Sequence, residues 1–237
     1  MSAPPAGPIG RLGVGLLCAA ALVAAPCSSG EPGGGRRAPS FLYELPAAGS
    51  YDLPAIDRVS EYVLLDADGN PTSLLDLGPG QCALVAFVYL SCTDAAGCPL
   101  SLASLQRVDR ALAERRDLAP RVRLVTVSFD PQRDRPEQMA QLRTHMSPKT
   151  DWRFLTAESA SALRPVLVDY GQDAVPLVTA DGRDARRMRH VAKVFLVDGE
   201  GAVRNVYSSG FLDDRILLRD LETLLLATEA PARGGRG

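Results

Sequence analysis

The chain has 237 residues, 46% of them hydrophobic, which is enough for one substantial core and marginal for two. Charged residues make up 23% and the formal net charge is −2, so no global positive field marks a nucleic-acid binder. Five cysteines divide into Cys18 and Cys27 near the N-terminus and Cys82, Cys92 and Cys98 in the body; this pattern excludes an evenly stapled secreted miniprotein and leaves a metal site or a redox pair.

Arg11 and the apolar run Leu12–Ala25 have the form of a charged n-region followed by an h-region too short for a transmembrane helix. They predict a signal peptide over residues 1–27 and export to the outer face of the cytoplasmic membrane or the periplasm. Cys27, followed by Ser28, Ser29 and a Gly-rich run, is a candidate lipidation site for a membrane tether. Pro26 is a poor residue for that processing, so a cleaved soluble form and an uncleaved anchor stand beside it. Residues 28–50 are rich in Pro, Gly, Ser and Ala and predict a flexible linker.

The body, residues 51–228, predicts one domain without internal repeats. Tyr62–Leu65 before Asp66–Asn70 is a strand and tight turn. Ala83–Leu90 is a continuous apolar run, as in a central strand buried on both faces. Pro99 suits a first helical position, placing Cys98 at the N-cap; Leu102, Leu105, Val108 and Leu112 follow at helical spacing. Val122–Phe129 is a second buried strand. Asp134 and Glu137 form a capping-box pattern around Pro136 and predict a helix through Met146. A short strand at Phe154–Leu155 and a helix over 160–170, strained by Pro165 and closed by Gly171, come next.

Residues 172–189 are polar and predict an irregular segment. Val191–Val197, the turn Asp198–Gly201 and Ala202–Tyr207 make a hairpin, and Ile216–Leu226 a closing amphipathic helix. Residues 229–237 predict a disordered tail. Buried strands with helical crossovers, then an antiparallel hairpin and a helix, give an α/β fold with a mixed, thioredoxin-type sheet flanked by helices.

Cys92 and Cys98 fall between the central strand and the following helix, where binding sites collect in α/β sheets. The free N–H groups of a helix start stabilise a thiolate, so at least one depressed thiol pKa and a reversibly oxidisable pair are expected. Dithiol chemistry and a soft metal both suit this pair; a buried disulfide or two inert core cysteines are the alternatives. His190, alone before a strand, is an ordinary surface histidine, as is His145 near a helix end. Cys82 is a small core residue.

In order along the chain, Phe87–Val88–Tyr89, the cysteine pair ending Cys98–Pro99–Leu100–Ser101, Val125–Pro131, Arg133–Asp134, Pro136–Glu137, Trp152–Thr156, and His190 ahead of Val194–Asp198 resemble the SCO/SenC family of copper-binding cytochrome c oxidase assembly proteins. The resemblance runs from about Val59 to Leu226. It implies a membrane-attached thioredoxin-like domain with Cys92, Cys98 and His190 as copper ligands. It also implies a copper-accepting partner, a cytochrome c oxidase subunit, and a place near the site for Asp130, which is equally well a turn residue before Pro131. Two thiolates and an imidazole suit Cu(I) and also hold Cu(II). The family spaces its cysteines by three residues, whereas Thr93–Gly97 here make five.

Four functions remain open: a copper metallochaperone, a thiol–disulfide reductase acting on a client's cysteines, a peroxidase, and a domain using neither chemistry. The reductase needs Cys92 and Cys98 but not His190. The peroxidase wants a hydroxyl three residues before its nucleophile, where Tyr89 precedes Cys92 and Ala95 precedes Cys98.

Overall fold

The computed structural model describes residues 44–229. The expected signal peptide with Cys18 and Cys27, most of the linker and the tail from residue 230 lie outside the described residues. The last linker residues hold fixed positions: the Gly49 N–H donates to Thr223 Oγ1 at 3.1 Å, and the Tyr51 hydroxyl to Asp220 at 2.5 Å.

The chain opens with a two-residue strand, β1 (Asp57–Arg58), and a small antiparallel pair, β2 (Val63–Leu65) and β3 (Pro71–Ser73). Asp66 ties the turn between them, its Oδ1 accepting from Asp68 N and Asn70 N at 2.8 Å each. β4 (Cys82–Val88) follows with all seven residues buried. Then come α1 (Cys98–Ala113), β5 (Val122–Ser128), α2 (Pro136–Met146), β6 (Trp152–Leu155) and α3 (Ala160–Asp169). β7 (Val175–Val178), β8 (Asp184–Arg189), β9 (Lys193–Asp198), β10 (Ala202–Ser208) and α4 (Asp214–Glu229) complete the order.

Six strands form the main sheet in the order β1-β10-β9-β4-β5-β6. β4, β5 and β6 run parallel; β9 joins β4 antiparallel, and β10 and β1 continue antiparallel. Because strand side chains alternate faces, β4 feeds two cores. Leu84 and Ala86 meet Leu105, Leu112, Met139 and Leu221 from α1, α2 and α4 on one face; Val85 and Phe87 meet Leu163 and Val166 from α3 on the other. Helices thus cover both faces of a mixed sheet, as the alternation of elements predicts. No helix among the described residues is long and apolar enough to cross a membrane.

Three local expectations change. Residues 172–189 are not irregular: β7 and β8 pair antiparallel into a separate two-stranded sheet, turning at Gly182 with φ +80°. Asp134 does not cap α2. Arg135 is the N-cap, and its N–H donates to Gln138 Oε1 at 3.2 Å, while the buried Asp134 carboxylate turns inward to Leu90 N and Ser128 Oγ. Satisfying these donors, one of them fully buried, outweighs an exposed cap. Cys98 is the first residue of α1, and Gly97 is its N-cap.

Candidate metal centre

The end of β4 and the start of α1 place the two cysteines. Cys98 is 2% exposed, and its Sγ accepts the Tyr89 N–H at 3.4 Å. Burial pushes its thiol pKa well up, the neighbouring Cys92 adds to this, and the backbone N–H groups of Tyr89 and Cys98 oppose it. The expected depression at this thiol is therefore not found, because desolvation exceeds what a helix start offers.

Cys92 is half-buried and donates its N–H to the Tyr89 carbonyl at 3.2 Å. The five-residue spacer folds on itself: Gly97 N donates to Asp94 O at 2.9 Å, and Ala96 N to Asp94 Oδ1 at 3.0 Å. Glycine suits this closure, since a Cβ at Gly97 would lie tight at 3.3 Å from Asp94 O and 3.4 Å from Cys92 Sγ. The longer spacer thus still returns Cys98 to Cys92. No disulfide joins Cys92 and Cys98 in this structure.

His190 leaves the end of β8. Its ring lies 5.4 Å from the Tyr89 ring at 84° and 4.9 Å from the Phe129 ring at 54°. Nδ1 is 3.4 Å from the Met188 carbonyl, and Nε2 is 3.5 Å from Cys98 Sγ. The tautomer that donates from Nδ1 to that carbonyl leaves the Nε2 lone pair facing the sulfurs, the arrangement of a metal-ligating histidine. The donor atoms of Cys92, Cys98 and His190 all lie within 4.8 Å of one another. Two sulfurs and one imidazole nitrogen fit a soft monovalent or borderline divalent cation and suit a hard one poorly.

Asp130 is buried and is not one of the clustered donors. Its N–H donates to Ser128 Oγ at 3.0 Å, and its carboxylate pairs with Arg133 at 2.5 Å. Arg133 in turn pairs with Asp184 on β8, so Asp130 reaches the His190 arm through two side chains. His145 is exposed in the last turn of α2. Cys82 is fully buried in the sheet, its thiol pKa pushed up to about 12 by burial.

Sequence reasoning missed three residues that build the centre. Tyr89 and Phe129 wall the imidazole, and Asp134 holds the chain at Leu90, two residues before Cys92, at 3.0 Å. The signal for the first two was their position at the carboxyl ends of β4 and β5. Asp134 gave none, since its spacing matched a cap.

A search of curated proteins gave no match. Among solved structures, a SCO1/SenC family lipoprotein from Bacillus anthracis is 20% identical with a TM-score of 0.60, covering 73% of this chain and 99% of its own. Bradyrhizobium japonicum ScoI with copper bound is 24% identical with a TM-score of 0.55, covering 70% and 98%. BsSco, a member of the Sco family of cytochrome c oxidase assembly proteins with a disulfide switch, is 20% identical with a TM-score of 0.55, covering 73% and 96%. These likenesses establish the thioredoxin-like Sco fold. The SCO1/SenC family model matches residues 52–226, a span that holds all three donors. With well over half of its length in that match, the chain belongs to the SCO1/SenC family.

Proposed function

We propose that this chain is an exported metallochaperone that takes up copper through Cys92, Cys98 and His190 and passes it by ligand exchange to a cytochrome c oxidase subunit. The observation that carries the reading is the convergence of two thiols and an oriented imidazole, brought from three places in the chain to within 4.8 Å. ScoI of Bradyrhizobium japonicum holds copper on the same fold, and BsSco is a cytochrome c oxidase assembly protein; both support the cargo and the client. Copper is the cargo here. Binding displaces the Cys98 proton, and Nε2 of His190 completes what two sulfurs begin. The leader over residues 1–27 and Cys27 support delivery outside the cytoplasm from a membrane tether, which fractionation and intact mass of the mature protein would test.

The deciding experiment is an anaerobic Cu(I) competition titration. Wild type should bind about one copper per chain; Cys92→Ala and Cys98→Ala should lose binding by orders of magnitude, and His190→Ala should weaken it. His190→Ala binding as tightly as wild type would remove the third ligand. A thiol–disulfide reductase is the second reading, favoured by two adjacent free thiols of unequal exposure. In that case disulfide reduction survives His190→Ala unchanged and copper is not retained.

A further inference from the structure

His190 stands at the end of a basic stretch. Residues 183–189 hold four arginines against one aspartate, in a chain whose net charge is −2. Strand side chains alternate faces, and Asp184 and Met188 of β8 turn inward with Pro176 of β7, lining a cleft of about 310 Å³ against Phe129 and α3. Arg187 and Arg189 take the opposite face, where both are exposed. Arg183 is paired with Asp181 at 2.7 Å, whereas Arg187 and Arg189 have no carboxylate partner among the described residues. Apolar side chains are exposed beside them. Val175 stands opposite Arg189 in the hairpin register, and Leu177 follows two residues on. Val191, on the other side of His190, is 59% exposed. The third donor therefore sits between two exposed neighbours, one cationic and one apolar.

We infer that this arm docks the protein that receives the copper, through an acidic, partly apolar surface on that protein. The inference deepens the copper reading above and rests on it for the client. Guanidiniums without a partner attract carboxylates and pair with them through two hydrogen bonds. In a chain that is net negative, that attraction is local to the arm and not a property of the whole surface. Val175, Leu177 and Val191 supply apolar contact next to the charges, the mixture of a protein interface. Ligand exchange brings the acceptor's donor atoms within bonding reach of the sulfurs and His190, so the acceptor meets the residues that flank His190. A membrane surface has no such need. Two copies joined arm to arm would set arginines against arginines, which disfavours self-association there.

The test is calorimetric titration of the full chain, with and without Cu(I), against the purified metal-free copper-accepting domain of the oxidase subunit. Arg187→Glu combined with Arg189→Glu should weaken binding about tenfold or more at low salt, because like charges then face each other. Its copper affinity and thermal melting should match wild type. Arg187→Gln with Arg189→Gln, a milder change, should fall between the two. About 1 M salt, where the screening length is about 3 Å, should bring wild type down to the reversed variant. A reversed variant that binds the domain as tightly as wild type overturns the inference, while copper binding by wild type leaves the copper reading standing. Arginine-dependent binding to phosphatidylglycerol vesicles, or arginine-dependent dimerisation in sedimentation, without binding to the domain also overturns it. A wild type that docks on the domain through these arginines and holds no copper removes the copper reading and leaves the docking surface in place.

Discussion

β4 and the β7–β8 hairpin serve the same centre and are built in opposite ways. All seven residues of β4 are buried, and its strand neighbours on both sides hold it by main-chain pairing. All four residues of β7 are exposed, Val178 at 68%, and the hairpin pairs only with itself. The cysteine side of the centre therefore inherits the stability of the core, whereas His190 hangs from an arm with little apolar burial of its own. Local opening is cheapest where few buried contacts are lost, so the histidine arm should open far more often than the cysteine frame. For a carrier this is useful: the thiols stay placed while one ligand comes and goes.

The contrast is broken most directly by truncating one side chain on each side. Leu84→Ala on β4 empties a site with no exposure and should cost about 2–5 kcal/mol in urea unfolding. Leu177→Ala on β7, at 37% exposure, should stay within about 0.5 kcal/mol. Equal costs at the two positions would mean that the hairpin is part of the global cooperative unit, and the division fails.

Asp134 sharpens the cysteine side. Its Oδ2 accepts from Leu90 N at 3.0 Å and Ser128 Oγ at 2.7 Å, both drawn toward the interior. Asp134→Ala strands those donors and should cost about 1–3 kcal/mol, with weaker copper binding because the chain entering Cys92 loses its anchor. Asp134→Asn retains an acceptor oxygen and should recover most of both. Equal loss in Asn and Ala would show that the negative charge, and not the hydrogen bonds, is what the position requires.

The same contrast explains which parts were legible beforehand. Ala83–Val88 is an uninterrupted apolar run, and burial on both faces is the one environment that tolerates it; in Val122–Ser128 the apolar Val122, Leu124, Val125 and Val127 carry the same signal around Arg123 and Thr126. Pro99 fixed the start of α1 to within a residue, and Leu105, Val108 and Leu112 its buried face. The hairpin was missed because Pro176 and a run of arginines hide the alternation of a strand exposed to solvent, although Asp181–Gly182 is a turn dipeptide. β1, two residues long, has no pattern to detect. At the centre, the resemblance named the three donors; spacing alone left His190 bland. The state of the Cys98 thiol was misjudged because sequence shows a helix start but not the depth of burial around it. Asp134 shows the same limit, a cap by spacing and an inward anchor by packing.

That buried thiol makes copper binding pH-dependent. Burial raises the Cys98 pKa, so at neutral pH the site holds a proton that the metal must displace. Below the raised pKa, each proton released makes affinity climb about tenfold per pH unit, roughly 1.4 kcal/mol. Cu(I) competition titrations from pH 6 to 8 should therefore show tightening with pH of at least this slope. His190→Ala should keep the slope, since the proton belongs to the cysteine side; a flat profile in wild type would mean that Cys98 binds already ionised.

The smallest effect concerns how the arm is held. Arg133 pairs with the buried Asp130 on one side and with Asp184, at the first residue of β8, on the other. The Asp184 side chain is 51% exposed, and a pair of that kind contributes only about 0.2–1 kcal/mol, less as salt rises. Asp184→Asn leaves the buried Asp130–Arg133 pair intact while removing the charge that draws the hairpin to it. Global stability should fall by less than about 1 kcal/mol. Hydrogen exchange of the β8 amides should nevertheless quicken several-fold, with no change along β4, because a small energy acts fully on an element whose own opening energy is small. High salt should reproduce the substitution in wild type and add nothing in the variant. If β8 protection is indifferent to both, the hairpin is held by contacts such as the Met188 N–H on the Tyr89 hydroxyl and not by charge, and the Arg133 link from Asp130 does not act on the arm.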